Sequence, residues 1–133
     1  MRELKHIILI DDQEPTNFYN EYLLSQANIA ETISVCNTTQ EAIELLDNLD
    51  KTNSELKRVL VFLDVNLPGY NGFEFIETNQ SLFQKTKEKG LRLFILSSSR
   101  NTSDIEKAKS CPIIKDMLEK PLTPQSIRHI LNV

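Results

Sequence analysis

Five polar side chains stand out because each follows an apolar run. Asp11 and Asp12 come after HIILI (6–10), Asp64 after VLVFL (59–63), Ser97 after LFIL (93–96), and Lys120 shortly after DML (116–118). Carboxylates gathered in one place suit a hard, oxygen-ligated cation. Mg²⁺ fits best, since it keeps several waters and takes one or two carboxylates plus phosphate oxygens. A carboxylate beside such an ion can act as a nucleophile and become an aspartyl phosphate, with the remaining groups positioning and neutralising the transferred phosphoryl. Lys120 would pair with phosphoryl oxygens and the Ser97 hydroxyl would hydrogen-bond another. The chemistry indicated is phosphoryl transfer with Asp64 as acceptor.

Taken singly, most of these residues have plain structural roles. Asp12, followed by Glu14 and Pro15, is a good helix cap. Ser97 is an ordinary polar strand end, and a lone lysine is usually solvated. Asp64 resists such a reading, because a carboxylate closing a buried strand costs free energy unless charge or hydrogen bonds compensate it. The joint position of the set carries the inference, and that position depends on the elements.

The apolar runs, with ISVC (33–36) among them, do not alternate apolar with polar. Continuous Val/Ile/Leu runs mark strands covered on both faces, the habit of a parallel sheet layered by helices. Helical patterns lie between them. Phe18, Tyr19, Tyr22, Leu23 and Ala27 recur at helical spacing, as do Ala42, Leu45, Leu46 and Leu49 behind Thr38 and Glu41 in capping-box register. Phe73, Ile76 and Phe83 mark a third helix ending near Gly90. Asn101-Thr102-Ser103 with Glu106 opens a fourth helix, and Thr123-Pro124 opens a last one with Ile127, Ile130 and Leu131 on its apolar side. Five strands alternating with five helices predict right-handed crossovers and a flavodoxin-like, doubly wound α/β sandwich on a five-stranded parallel sheet. Such sheets bind ligands outside the carboxyl ends of their strands, where the acids, hydroxyls and amine would converge. Neighbouring strands lie about 4.8 Å apart, so acids ending the first and third strands can share a cation if those strands are adjacent.

The segments IDD (10–12), LDVNLPGYNG (63–72), LSSS (96–99) and KPL (120–122) occur in that order across nearly the whole chain. They resemble the motifs of response-regulator receiver domains. The resemblance implies that Asp64 takes a phosphoryl group from a phosphohistidine on a histidine kinase or histidine phosphotransfer protein. It implies that Asp11, Asp12 and Asp64 hold Mg²⁺ together with the backbone carbonyl of Asn66, and that Ser97 and Lys120 are the switch hydroxyl and the phosphate-binding lysine. A cis peptide would precede Pro121. It implies a signalling protein that assists its own phosphorylation and dephosphorylation, with output through protein contacts. One position departs from the family pattern: Met117 stands three residues before the lysine, where receivers often place a switch aromatic.

Composition agrees with this class. A chain of 133 residues with 40% hydrophobic and 26% charged residues is expected to form a single domain over residues 1–133, without an output domain. A net charge of −4 with no basic block argues against direct nucleic-acid binding. No long apolar segment is present, so membrane insertion is not expected, and Cys36 and Cys111 in no ligand spacing fit a reduced cytoplasmic protein. A haloacid-dehalogenase-type phosphatase would need a second acid two residues after Asp64, where this chain has Asn66. An unphosphorylated receiver-like scaffold would have no need of these polar positions together. His6 at a strand start and His129 on the last helix are read as structural.

Overall fold

In the computed structural model, residues 3–11, 14–67, 70–98 and 102–132 are described, with the backbone alone for 14–16, 67 and 70. The elements run β1 (Leu4–Ile10), α1 (Glu14–Ala27), β2 (Ala30–Cys36), α2 (Thr39–Thr52), β3 (Val59–Asp64), β4 (Asn66–Leu67), β5 (Tyr70–Asn71), α3 (Gly72–Thr78), α4 (Gln80–Glu88), β6 (Arg92–Ser97), α5 (Thr102–Ser110), β7 (Ile114–Glu119) and α6 (Pro124–Leu131). Five strands form one sheet in the order β2-β1-β3-β6-β7, all parallel. This is the doubly wound, flavodoxin-like α/β sandwich, and the central strand is the one that ends on Asp64.

Alternation along the strands divides the core in two. Ile8, Ile10, Val61, Leu63, Leu93, Ile95 and Met117 pack against Ala42 and Leu46 of α2, Phe75 and Ile76 of α3, Phe83 of α4 and Ala108 of α5. Ile7, Leu9, Leu60, Phe62, Phe94, Leu96 and Leu118 pack against Leu24 of α1 and Ile127 and Ile130 of α6. Thr38 accepts a hydrogen bond from Glu41 N, and Thr123 accepts one from Ser126 N with Pro124 in the first turn, so both expected caps are made.

Three local expectations need correction. The third helix is two helices, so the described residues hold six. Asn79 ends α3, where its side-chain amide donates to Phe75 O at 3.0 Å, and α4 restarts with Phe83 N donating to Asn79 O. An asparagine competes for helix backbone in this way, and the spacing of Phe75 and Phe83, which meet edge to face at 5.5 Å, conceals the break. The polar stretch at 50–58 is shorter as a loop, because α2 runs to Thr52. The third correction concerns α1: Phe18, Tyr19 and Tyr22 face solvent, while Asn17, Asn20 and Leu24 are buried.

Candidate functional site

Parallel register fixes which strand ends meet. Ile10 lies opposite Leu63, Asp64 opposite Leu96, and Ser97 opposite Glu119, so Asp11, Asp64, Ser97 and Lys120 leave four neighbouring strands at nearly one level. Alternation then sorts them by side. Asp64 continues Leu60 and Phe62, Asp11 continues Ile7 and Leu9, and Lys120 continues Leu118, all toward α1 and α6. Ser97 continues Leu93 and Ile95, on the same side as Met117.

The contacts follow from that sorting. Lys120 Nζ lies 2.9 Å from Asp64 Oδ1 and 3.5 Å from Asp11 Oδ2. Asp64 is 0% exposed, and Asp11 and Ser97 are nearly as deeply buried. Asn66 N donates to Asp64 Oδ1 at 3.1 Å, while Asp64 Oδ2 is buried with no hydrogen-bond partner among the described residues. Among the described residues, one ammonium faces two buried carboxylates, which leaves a negative balance. Oxygen donors with surplus negative charge and an unpaired carboxylate oxygen fit a hard divalent cation. Asp12 and Ser99, expected at the same edge, lie outside the described residues.

The backbone of the site is tied at several points. Lys120 N donates to Ser97 O at 2.8 Å and Val65 N to Leu96 O at 3.0 Å. The Lys120-Pro121 peptide is cis. Asn71 caps α3 by accepting from Glu74 N, and Gly72 opens that helix with its N donating to Val65 O at 2.6 Å. A Cβ on Gly72 would sit 2.8 Å from Asp64 O, so only glycine lets the helix start this close to the end of β3.

Met117 is buried opposite Ile95, beside a groove of about 290 Å³ lined by Ile105, Ala108 and Ile114. His6 Nε2 engages Ser34 Oγ at 2.7 Å and His129 Nε2 engages Asp116 Oδ2 at 2.7 Å. Cys36 is a buried core thiol, pushed up to about 11 by burial and secondarily by Glu41. A groove of about 520 Å³ lined by Phe73, Glu74, Lys107 and Cys111 lies apart from the acid–lysine cluster.

Two residues that touch the site carry no mark of it in the sequence pattern. Asn17 Nδ2 donates to Asp11 O at 2.6 Å, and Asn20 Oδ1 accepts from Leu122 N at 3.2 Å. Their signal in the sequence is faint, a pair of asparagines three apart inside a helix whose aromatics dominate the periodicity.

Comparison with known proteins adds an independent line. A family model for the response regulator receiver domain matches residues 7–132. The nitrate/nitrite response regulator protein NarL of Escherichia coli strain K12 is 30% identical over 101 residues, covering 74% of this chain and 40% of NarL. The chain thus spans well under half the length of that relative. The crystal structure of a two-component response regulator from Cytophaga hutchinsonii matches with a TM-score of 0.87 at 29% identity, covering 98% of this chain and 96% of the other. A response regulator receiver protein from Dyadobacter fermentans DSM 18053 matches with a TM-score of 0.80 at 30% identity, covering 96% and 95%.

Proposed function

The chain belongs to the response-regulator receiver family, and on that premise we propose that Asp64 accepts a phosphoryl group from a phosphohistidine of a histidine kinase or histidine phosphotransfer protein. The observation that carries this reading is the buried Lys120–Asp64–Asp11 cluster, in which one Asp64 oxygen has no partner among the described residues. An Asp64 oxygen attacks the phosphorus, the phosphorus–nitrogen bond breaks, and the donor imidazole keeps the electron pair and is free to take a proton. Lys120, already 2.9 Å from the acceptor carboxylate, is placed to follow the charge onto the phosphoryl oxygens.

Asp11, Asp12, Asp64 and the backbone carbonyl of Asn66 are the proposed ligands of Mg²⁺, which when bound would neutralise phosphoryl oxygens. Ser97 is the proposed switch hydroxyl, on the same side as Met117. Output through protein contacts would begin there. Phe18, Tyr19 and Tyr22 are 76%, 47% and 52% exposed on α1, the helix that follows the Asp11 loop. Clustered exposed aromatics are typical of binding surfaces, which supports this helix face as the docking surface for the phosphodonor protein. Among the described residues no helix is long and apolar enough to cross a membrane.

The test is direct. Incubated with Mg²⁺ and a small phosphodonor, or with a phosphorylated histidine kinase, the protein should gain one hydroxylamine-sensitive acyl phosphate, and Asp64→Asn should gain none. An undiminished label on the variant would refute the assignment.

A further inference from the structure

Asn17 is 4% and Asn20 is 1% exposed, on a helix that turns three aromatic rings toward solvent. Burying an amide costs free energy unless its hydrogen bonds are made, so an apolar core alone gives no reason for either residue. Asn17 Oδ1 has no partner among the described residues, so hydrogen bonding does not fully compensate the burial of that amide. What the two side chains do hold is the backbone of the acid–lysine cluster. Asn17 Nδ2 donates to the carbonyl of Asp11 at 2.6 Å and to Asn37 Oδ1 at 3.3 Å. Asn20 Oδ1 accepts from the N–H of Leu122, two residues beyond Lys120. Residues three apart on a helix are neighbours on one face, so α1 presents the two amides as successive rungs.

We infer that Asn17 and Asn20 are positioning residues, with α1 setting the placement of the acid-bearing loop through Asn17 and of the lysine-bearing loop through Asn20. Lys120 is then held from both sides: its own N–H is bound by Ser97 O at 2.8 Å, and the chain just beyond it is bound by Asn20 at 3.2 Å. With its backbone fixed, the side chain reaches Asp64 and Asp11 from one direction only. The catalytic meaning of this arrangement rests on the phosphoacceptor reading above, but the arrangement itself can be measured without it.

The division of labour makes an asymmetric prediction that a merely structural role does not. Asn20→Leu keeps the number and branching of the side-chain heavy atoms and removes the acceptor. It should expose the Lys120 ammonium, whose NMR signal should broaden through faster exchange with water. Acyl-phosphate formation at saturating small phosphodonor should slow about tenfold, the scale of a misplaced catalytic group, with Mg²⁺ affinity within about twofold. Asn20→Asp retains an acceptor at the same place and should restore the ammonium signal. Asn17→Leu should do the reverse, leaving the ammonium signal in place and weakening Mg²⁺ binding about tenfold, as loss of a group that orients a metal ligand does. An unchanged ammonium signal in Asn20→Leu, or parallel loss of both properties in both Leu variants, would overturn the inference. A released ammonium in Asn20→Leu, with no acyl phosphate even on wild type, would uphold the positioning role and sink the phosphoacceptor reading instead.

Discussion

The two sides of the sheet are built on different terms. The side under α2, α3, α4 and α5 is closed by Leu46, Phe75, Ile76 and Phe83; of the buried polar side chains there, Thr86 donates its hydroxyl to Phe83 O within its own helix and Ser97 ends β6. The side under α1 and α6 has a smaller apolar cluster and carries the charges: Asp11, Asp64 and Lys120 by strand alternation, and Asn17 and Asn20 from the covering helix. A helix can bury apolar surface or polar groups with its inner face, and α1 uses much of that face for the latter. Stability should therefore concentrate on one side and chemistry on the other.

The largest expected effect probes the apolar side. Phe75 is fully buried and meets Phe83 edge to face at 5.5 Å across the α3–α4 break. Phe75→Ala should cost about 3–5 kcal/mol in urea unfolding, the range for a large core side chain removed with little collapse. Whatever remains folded at low temperature should still label at Asp64, because the Asp11–Asp64–Lys120 side chains lie on the opposite side of the sheet from Phe75. A mutant that stays stable but loses labelling would erase the distinction between the two sides.

The next effect probes the outer surface of α1. Replacing both Phe18 and Tyr22 with Ser should change folding stability by no more than about 0.5 kcal/mol, since both are exposed. If this surface docks the donor, the same variant should slow phosphotransfer from a protein donor by tenfold or more, the scale of about 2 kcal/mol that interface aromatics carry. Labelling by a small phosphodonor should be unaffected. Equal slowing with both donors would show that the aromatics act inside the site and do not dock a partner.

How much of this is legible in the sequence depends on whether a residue's role is local. The strands are readable because β3 is buried at every position and β1 at most of its length, which leaves continuous apolar runs. The strand-end acids are readable for the same reason, since a charged group that closes a buried strand stands out against the apolar run before it; Lys120 is less so, because β7 is buried at only some positions and ends on the exposed Glu119. The exposed face of α1 is not, because periodicity reports which residues are apolar, whereas the partners of Asn17 and Asn20 come from strand ends and loops, with Leu122 102 positions away from Asn20. The break at Asn79 is hidden because one side chain's bond to Phe75 O leaves the apolar spacing intact on either side. The short antiparallel pair β4–β5, Asn66 opposite Asn71, is visible only as turn-forming residues.

The smallest expected effect tests whether the apolar side is silent to pH. His6 follows the alternation of Ile8 and Ile10 onto that side, and its ring meets Ser34 on the edge strand at 2.7 Å. Burial, and after it the charge of Lys5, hold its pKa below the usual 6.5. The unfolded chain therefore takes up the proton first as pH falls. The stability this creates is fully present above 6.5 and is lost as pH drops through the lower, folded value. One proton changes stability by at most about 1.4 kcal/mol per pH unit. Urea unfolding of wild type and His6→Gln at about pH 7.5 and about pH 5.5 isolates the contribution, because the other titrating groups are common to both proteins and cancel in the difference. Wild type should lose more stability than the variant over that interval, within the one-proton limit. Parallel losses would mean that the folded protein accepts the proton on His6 as readily as the unfolded chain does, and that this side of the sheet is wetter at its edge than its packing implies.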